Sequence, residues 1–166
     1  MTAPPPVPEL VRHLPDAEAT AAAGAALAAT LGPGDAVLLS GDLGAGKSAL
    51  ARAAILALLA EDGRVEDVPS PSFTLVQVYE TARGEAWHAD LHRLAGPEAV
   101  PELGLEAAFE TAICFVEWPD RLGPFRPPRR LEIALAFADA DPEAGRSLRA
   151  AGVGGGWAAA LAALAA

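Results

Sequence analysis

The segment Gly41-Asp42-Leu43-Gly44-Ala45-Gly46-Lys47-Ser48 constrains this chain more than any other, because it fits the pattern G-x-x-x-x-G-K-[ST] without a mismatch. A loop of this kind needs a buried strand before it and a helix after it. Both flanks comply. Ala36-Val37-Leu38-Leu39-Ser40 is a short apolar run introduced by the turn signal Gly32-Pro33-Gly34-Asp35. Beyond the loop, Leu50, Ala51, Ala54, Ile55, Leu58 and Leu59 recur at helical spacing until Glu61-Asp62-Gly63 stops the pattern. The glycines allow positive φ and close backbone approach, so the amide N–H groups of Asp42, Leu43, Gly44, Ala45 and Gly46 can surround phosphates at the positive end of the new helix. Lys47 is the only lysine in the chain; every other side-chain cation apart from histidine is arginine. A compact ammonium on a flexible stem suits a β/γ-phosphate contact, and the Ser48 hydroxyl suits Mg²⁺. The expected function is nucleoside triphosphate binding with hydrolysis.

Strands alternating with helices around such a loop imply an α/β layered fold of the P-loop NTPase type, with a central, mostly parallel sheet flanked by helices. Asp16 is the expected N-cap of a helix from Ala17 to about Leu31. The prolines of Val68-Pro69-Ser70-Pro71-Ser72 exclude a helix there, and Phe73 to Tyr79 with Ala86 to Leu91 reads as a hairpin turning at Arg83-Gly84-Glu85. A helix opens near Gly96-Pro97-Glu98 and is interrupted at Gly104. Ala112 to Val116 is a central strand, while Leu131, Ile133, Leu135 and Phe137 alternate as a half-buried one that Arg146 to Ala151 can pair with. The expected organisation is a flexible tail over residues 1–14, one nucleotide-binding domain over 15–151, and a Gly-rich hinge with an Ala-rich helix over 152–166.

A second carboxylate must face the loop for phosphoryl chemistry, and two acids end apolar stretches. Glu117 follows the run Ile113 to Val116, which puts it at the carboxyl edge of the sheet, where ligands sit in open α/β folds, and makes it one candidate for that carboxylate. Asp90 ends Trp87-His88-Ala89-Asp90 and is placed to orient water or support the metal. His88, Asp90 and His92 alternate and share one face if the strand continues, which admits a transition-metal site, but no fourth group is evident and His88 reads better as a hydrogen-bonding support. Ser70, Ser72 and Thr74 lie in a segment that a γ-phosphate can order and hydrolysis release; an ordinary strand entrance with capping hydroxyls explains them equally well. Trp118 shields the site, forms a contact surface, or packs in the core.

Charge and cysteine content narrow the partners. A formal net charge of -10 sets the surface against a phosphate backbone, so any RNA role is expected to be indirect. One cysteine, Cys114, excludes an intrachain disulfide and reads as a buried, inert thiol. The absence of a signal-peptide pattern in Met1 to Pro6 and of a long apolar span leads to the expectation of a cytoplasmic protein.

Four motifs taken together resemble the TsaE family, the ATPases of bacterial tRNA threonylcarbamoyladenosine biosynthesis. They are Gly41 to Ser48, Ser70-Pro71-Ser72-Phe73-Thr74-Leu75-Val76, His88-Ala89-Asp90-Leu91-His92-Arg93-Leu94 and Val116-Glu117-Trp118-Pro119, within a similarity from about Pro15 to Phe137. The resemblance implies ATP and Mg²⁺ as ligands, with Lys47, Asp90 and Glu117 catalytic, Ser48 and Glu117 on the metal, and Thr74 in a switch-like segment at the nucleotide. It implies TsaB and TsaD as protein partners, with tRNA met only through the complex. His92 departs from the family's usual tyrosine. The N-terminal edge, Pro15 to Thr20, is the family's approach to the base, and nothing beyond Asp139 carries an implied role. Two other readings share the loop, a small-molecule kinase with Arg126, Arg129 and Arg130 as its lid and a switch that binds ATP without hydrolysing it. A GTPase with the Asn-Lys-x-Asp guanine reader is excluded, since the chain has no asparagine.

Overall fold

The computed structural model describes residues 9–166. Seven strands form one sheet in the order β1-β7-β6-β2-β5-β4-β3. The four inner strands, β6 (Arg130–Phe137), β2 (Ala36–Ser40), β5 (Ile113–Glu117) and β4 (Gly84–Asp90), pair in parallel. Antiparallel partners flank them: β3 (Val76–Thr81) on β4 at one side, β7 (Arg146–Val153) on β6 and β1 (Glu9–Leu14) on β7 at the other. The α/β architecture read from the sequence is therefore present. Its parallel character belongs to the centre, where the loop-bearing strand β2 lies between β6 and β5.

Alternation along the inner strands assigns each residue to a face. Val37, Leu39, Ile113, Phe115, Leu131, Ile133 and Leu135 point into a core shared with α1 (Ala17–Ala28), α2 (Lys47–Ala60) and α4 (Ala158–Ala165). Ala36, Leu38, Cys114 and Val116 point the other way, into a core closed by the 3-10 segment Pro97–Leu103 and α3 (Leu105–Thr111). Cys114 is fully buried there, and that burial, with the Glu85 carboxylate as a lesser cause, pushes its thiol up to about 12. The thiol is inert, as its apolar run implies.

Helix α1 is built to lie close on α2. A Cβ on Gly24 would stand 2.5 Å from the Leu50 carbonyl oxygen and 3.1 Å from the Ala53 Cβ. Neither helix carries a basic residue in its last turn. Arg83, at the β3–β4 turn, supplies the missing cation from outside: its Nη1 donates to the carbonyls of Ala28, Ala29 and Leu31, and its guanidinium pairs with Glu61 beyond α2 at 2.8 Å. One arginine thus ties the hairpin to the ends of both helices.

The two terminal segments correct the expected organisation. Residues 9–14 of the expected tail form β1, whose edge position is secured by six register pairs with β7, by Leu14 buried in the core, and by Arg149 bonded to Glu9. The remainder of that tail, residues 1–8, lies outside the described residues. At the other end, the expected hinge is a fixed turn: Gly154, Gly155 and Gly156 hold positive φ, and Arg129 donates to the carbonyls of Gly155 and Gly156 while lying 4.2 Å from the Trp157 ring. Trp157, Ala160 and Leu164 then join the main core, and Arg12 of β1 donates to the Leu164 carbonyl. Residues 152–166 therefore belong to the same folded unit. The helix expected to reach Leu31 ends at Ala28, and the strand expected from Phe73 begins at Val76.

Helix propensity alone would make Gly24→Ala stabilising by about 1 kcal/mol. Because the added methyl meets the Leu50 carbonyl, the substitution is expected to cost about 1–3 kcal/mol instead, measured as a lower urea midpoint at unchanged slope.

Candidate active site

The loop Gly41 to Gly46 leaves β2 at the carboxyl edge of the parallel strands and ends as the N-cap of α2. Gly41, Gly44 and Gly46 hold φ of 139°, 82° and 108°. At Gly41 a side chain is excluded outright, since its Cβ would stand 2.2 Å from the Leu135 carbonyl oxygen. The turn gives Lys47 an inward course, and only 5% of its surface is exposed. Its ammonium donates to the carbonyls of Gly41 and Asp42 and rests 4.4 Å from the centre of the Trp118 ring. Burial pushes its pKa below the ordinary lysine value, opposed by the negative charges of Glu117, Asp90 and Asp42.

Opposite the loop, β5 ends at Glu117 and β4 at Asp90, which are register partners. Ser48, one residue into α2, donates to Glu117 at 2.8 Å from Oε1 and 2.9 Å from Oε2. His88 Nε2 lies 2.7 Å from Glu117 Oε2. Placement at a sheet edge leads one to expect an exposed carboxylate; Glu117 is 2% exposed, with His88 and Ser48 bonded to its carboxylate. Asp90 is also buried. Its Oδ1 accepts the His92 backbone N–H at 3.0 Å, and its Oδ2 faces the Ser72 hydroxyl at 3.4 Å.

Leu75 and Trp118, with φ of 67° and 57°, are the non-glycine residues holding positive φ among those described, and they flank this site. Each conformation is held by bonds to neighbouring elements. Leu75 N–H donates to Pro71 O, and Leu75 O accepts from Asp90 N–H at 2.8 Å. Trp118 N–H donates to Leu39 O, and the indole stacks on the His92 ring with centroids 4.6 Å apart. His92 is therefore an aromatic support of Trp118. His88, Asp90 and His92 turn to three different partners, and among the described residues no group of three His, Cys, Asp or Glu side chains is arranged to hold a metal.

Two clefts meet at the loop. The first, about 380 Å³, is lined by Leu43, Gly44, Gly46, Lys47, Ser48 and Ala49 with Ser72, Asp90, Glu117 and Trp118 opposite. The second, about 420 Å³, lies on the other side of Gly44, Ala45 and Gly46, between Pro15–Thr20 and the segment Pro142–Arg146. The structure thus brings Gly44, Gly46, Lys47, Ser48, Asp90 and Glu117 around one space, with Leu43 68% exposed on its rim. Thr74, expected at the nucleotide, does not reach it: the turn at Leu75 sends the hydroxyl outward to accept a bond from Gln77 at 2.9 Å, and Ser72 lines the cleft in its place. Sequence reasoning also missed Arg146, which donates to Gly44 O at 3.2 Å and lies 4.3 Å from the Phe137 ring. The turn signal Asp141-Pro142-Glu143-Ala144-Gly145 ahead of a lone arginine marks the position without disclosing that it returns to the loop.

Fold and site together define an α/β protein organised around a glycine-rich strand-to-helix loop, with a buried acid facing the helix N-terminus. Within that class the assignment is specific. The family model described as threonylcarbamoyl adenosine biosynthesis protein TsaE matches residues 14–147, and the chain belongs to the TsaE family. It is similar to the tRNA threonylcarbamoyladenosine biosynthesis protein TsaE of Rickettsia bellii, 39% identical over 116 residues covering 70% of this chain and 78% of that one. The protein of the same name from Nostoc sp. is 36% identical over 131 residues, 76% of this chain and 77% of that one. A crystal structure of YdiB from Bacillus subtilis superposes with a TM-score of 0.73 at 27% identity, covering 96% of this chain and 95% of that one.

Removing the Glu117 carboxylate would take away the hydrogen-bond partner of the Ser48 hydroxyl and of the buried His88 ring nitrogen. Glu117→Ala is therefore expected to lower unfolding free energy by about 1–3 kcal/mol, read by chemical denaturation, beyond any effect on activity.

Proposed function

We propose that this protein binds ATP with Mg²⁺ and hydrolyses it, and that it serves tRNA threonylcarbamoyladenosine biosynthesis as an ATPase working with TsaB and TsaD. One observation carries the nucleotide reading: an almost fully buried lysine at the amino end of α2, in a three-glycine loop, shares a cleft of about 380 Å³ with a buried carboxylate, Glu117, that is hydrogen-bonded to the neighbouring Ser48. The membership in the TsaE family and the names of its relatives carry the pathway.

In this reading the loop amides and the positive end of α2 receive the phosphates. Lys47 leaves the carbonyls of Gly41 and Asp42 for the β/γ-phosphate oxygens, a short move for a four-carbon stem. Ser48 Oγ and the Glu117 carboxylate are hard oxygen donors held together, a set that fits Mg²⁺. The bound cation supplies charge neutralisation for the phosphate oxygens. Asp90, fixed by the His92 amide and facing Ser72, accepts a proton from or orients the attacking water. Trp118 covers the ammonium and limits water at the reacting centre. The second cleft, with Pro15, Ala17, Ala49 and Pro142 in its walls, takes the base.

The kinase reading loses its lid. Arg129 pairs with Asp35, Arg130 with Glu132, and Arg126 with Asp120 and Glu132. Arg129 and Arg130 sit where β6 begins, at the end of the sheet opposite the loop, and Arg126 is held by its two carboxylates away from the residues that line the cleft. No helix is long and apolar enough to cross a membrane among the described residues, in keeping with work beside tRNA in the cytoplasm.

Phosphate release by the pure chain, alone and with TsaB and TsaD, tests the reading. Turnover is expected in the assembled complex at a rate well above that of the chain alone, and Lys47→Ala is expected to weaken ATP binding by at least about tenfold, the equivalent of one charge-assisted hydrogen bond. Unchanged affinity and turnover in that variant would remove the site assignment; identical rates with and without the partners would remove the coupling.

A further inference from the structure

Glu117 and His88 stand on adjacent parallel strands, and the imidazole, from two residues before Asp90, reaches diagonally to the carboxylate. Both are all but sealed from solvent, His88 at 1% and Glu117 at 2% exposure. The ring's second nitrogen, Nδ1, is buried without a hydrogen-bond partner among the described residues. A bond to the carboxylate requires the proton on Nε2: the opposite tautomer would set the Nε2 lone pair against a carboxylate oxygen 2.7 Å away and leave an N–H donor buried at Nδ1 without a partner.

The bond also divides the two carboxylate oxygens. Oε2 faces His88 Nε2 at 2.7 Å and shares the single Ser48 hydroxyl proton with Oε1, whereas Oε1 has no donor but that hydroxyl, at 2.8 Å. We infer that His88 is a positioning residue: as a fixed Nε2–H donor it pins Oε2 of Glu117 and so aims Oε1, beside the Ser48 hydroxyl, at the divalent cation that accompanies the nucleotide. The inference rests on the magnesium-nucleotide reading above and adds a residue to it. His88 touches neither nucleotide nor metal; it works through Glu117. Partners of this kind raise metal affinity by fixing the ligand before the metal arrives, and their removal typically costs 10–100-fold in that affinity.

The test is calorimetric titration of the full chain with ADP, in Mg²⁺ at a series of concentrations and in EDTA. For His88→Leu, the Mg²⁺ concentration giving half of the affinity gain is expected to rise by about tenfold or more, while affinity in EDTA stays within about twofold of wild type. His88→Gln can present an amide N–H to the same oxygen and is expected to recover most of the loss. A Leu variant with the wild-type magnesium requirement, or one that loses affinity equally in EDTA, overturns the inference. Failure of His88→Gln to recover any of the loss also overturns it. Should His88→Leu not fold, ¹⁵N spectra of the wild-type ring decide: a proton on Nε2 with Nδ1 bare supports the assignment, and a proton on Nδ1 overturns it. A wild-type protein whose ADP affinity gains nothing from Mg²⁺ overturns the nucleotide reading on which all of this stands.

Discussion

The buried carboxylate of Glu117 is the contact on which the site depends. It joins the end of β5 to the first turn of α2 through Ser48 and, beside the backbone pairing of the two strands, to β4 through His88. A charge this deeply buried is costly unless its lone pairs are satisfied. Here the donors that satisfy it are also the groups that face the cleft, so folding and preparation of the site are one process. The lysine across the cleft contributes the balancing positive charge while it is still engaged by the loop's own carbonyls.

Around that contact the chain tolerates two unfavourable backbone conformations, at Leu75 and Trp118. Both lie immediately beside residues that face the cleft, and both are stabilised by bonds to neighbouring elements rather than by local preference. Trp118 is aimed by its positive φ and by the His92 ring behind it, so the indole meets the Lys47 ammonium from above.

Much of this was legible in the residues. The loop was readable because its glycines, lysine and serine stand at fixed offsets between two strong hydrophobic patterns, and Glu117 and Asp90 because each terminates an apolar run. What escaped had physical reasons. Glu9 to Leu14 carries little intrinsic strand signal beyond partial alternation, and its pairing is chosen by β7 far along the chain. Ala158 to Ala165 is apolar all round, so its facing cannot be read without α1 and β1 beside it. Thr74 sits where a hydroxyl is expected, but a positive φ at Leu75 turns it away, and no local rule forecasts that conformation for leucine. The burial of Glu117 comes with its contacts to His88 on β4 and Ser48 on α2, a tertiary event that spacing does not encode.

The position of β1 has a consequence for how the chain is made. Among the described residues its one strand partner is β7, with Glu9 opposite Ala151, and the Arg12 guanidinium donates to the Leu164 carbonyl. During vectorial synthesis β1 therefore leaves the ribosome before every other strand described and finds its neighbour only once β7 has emerged, so the part of the core that Leu10 and Leu14 complete stays open until then.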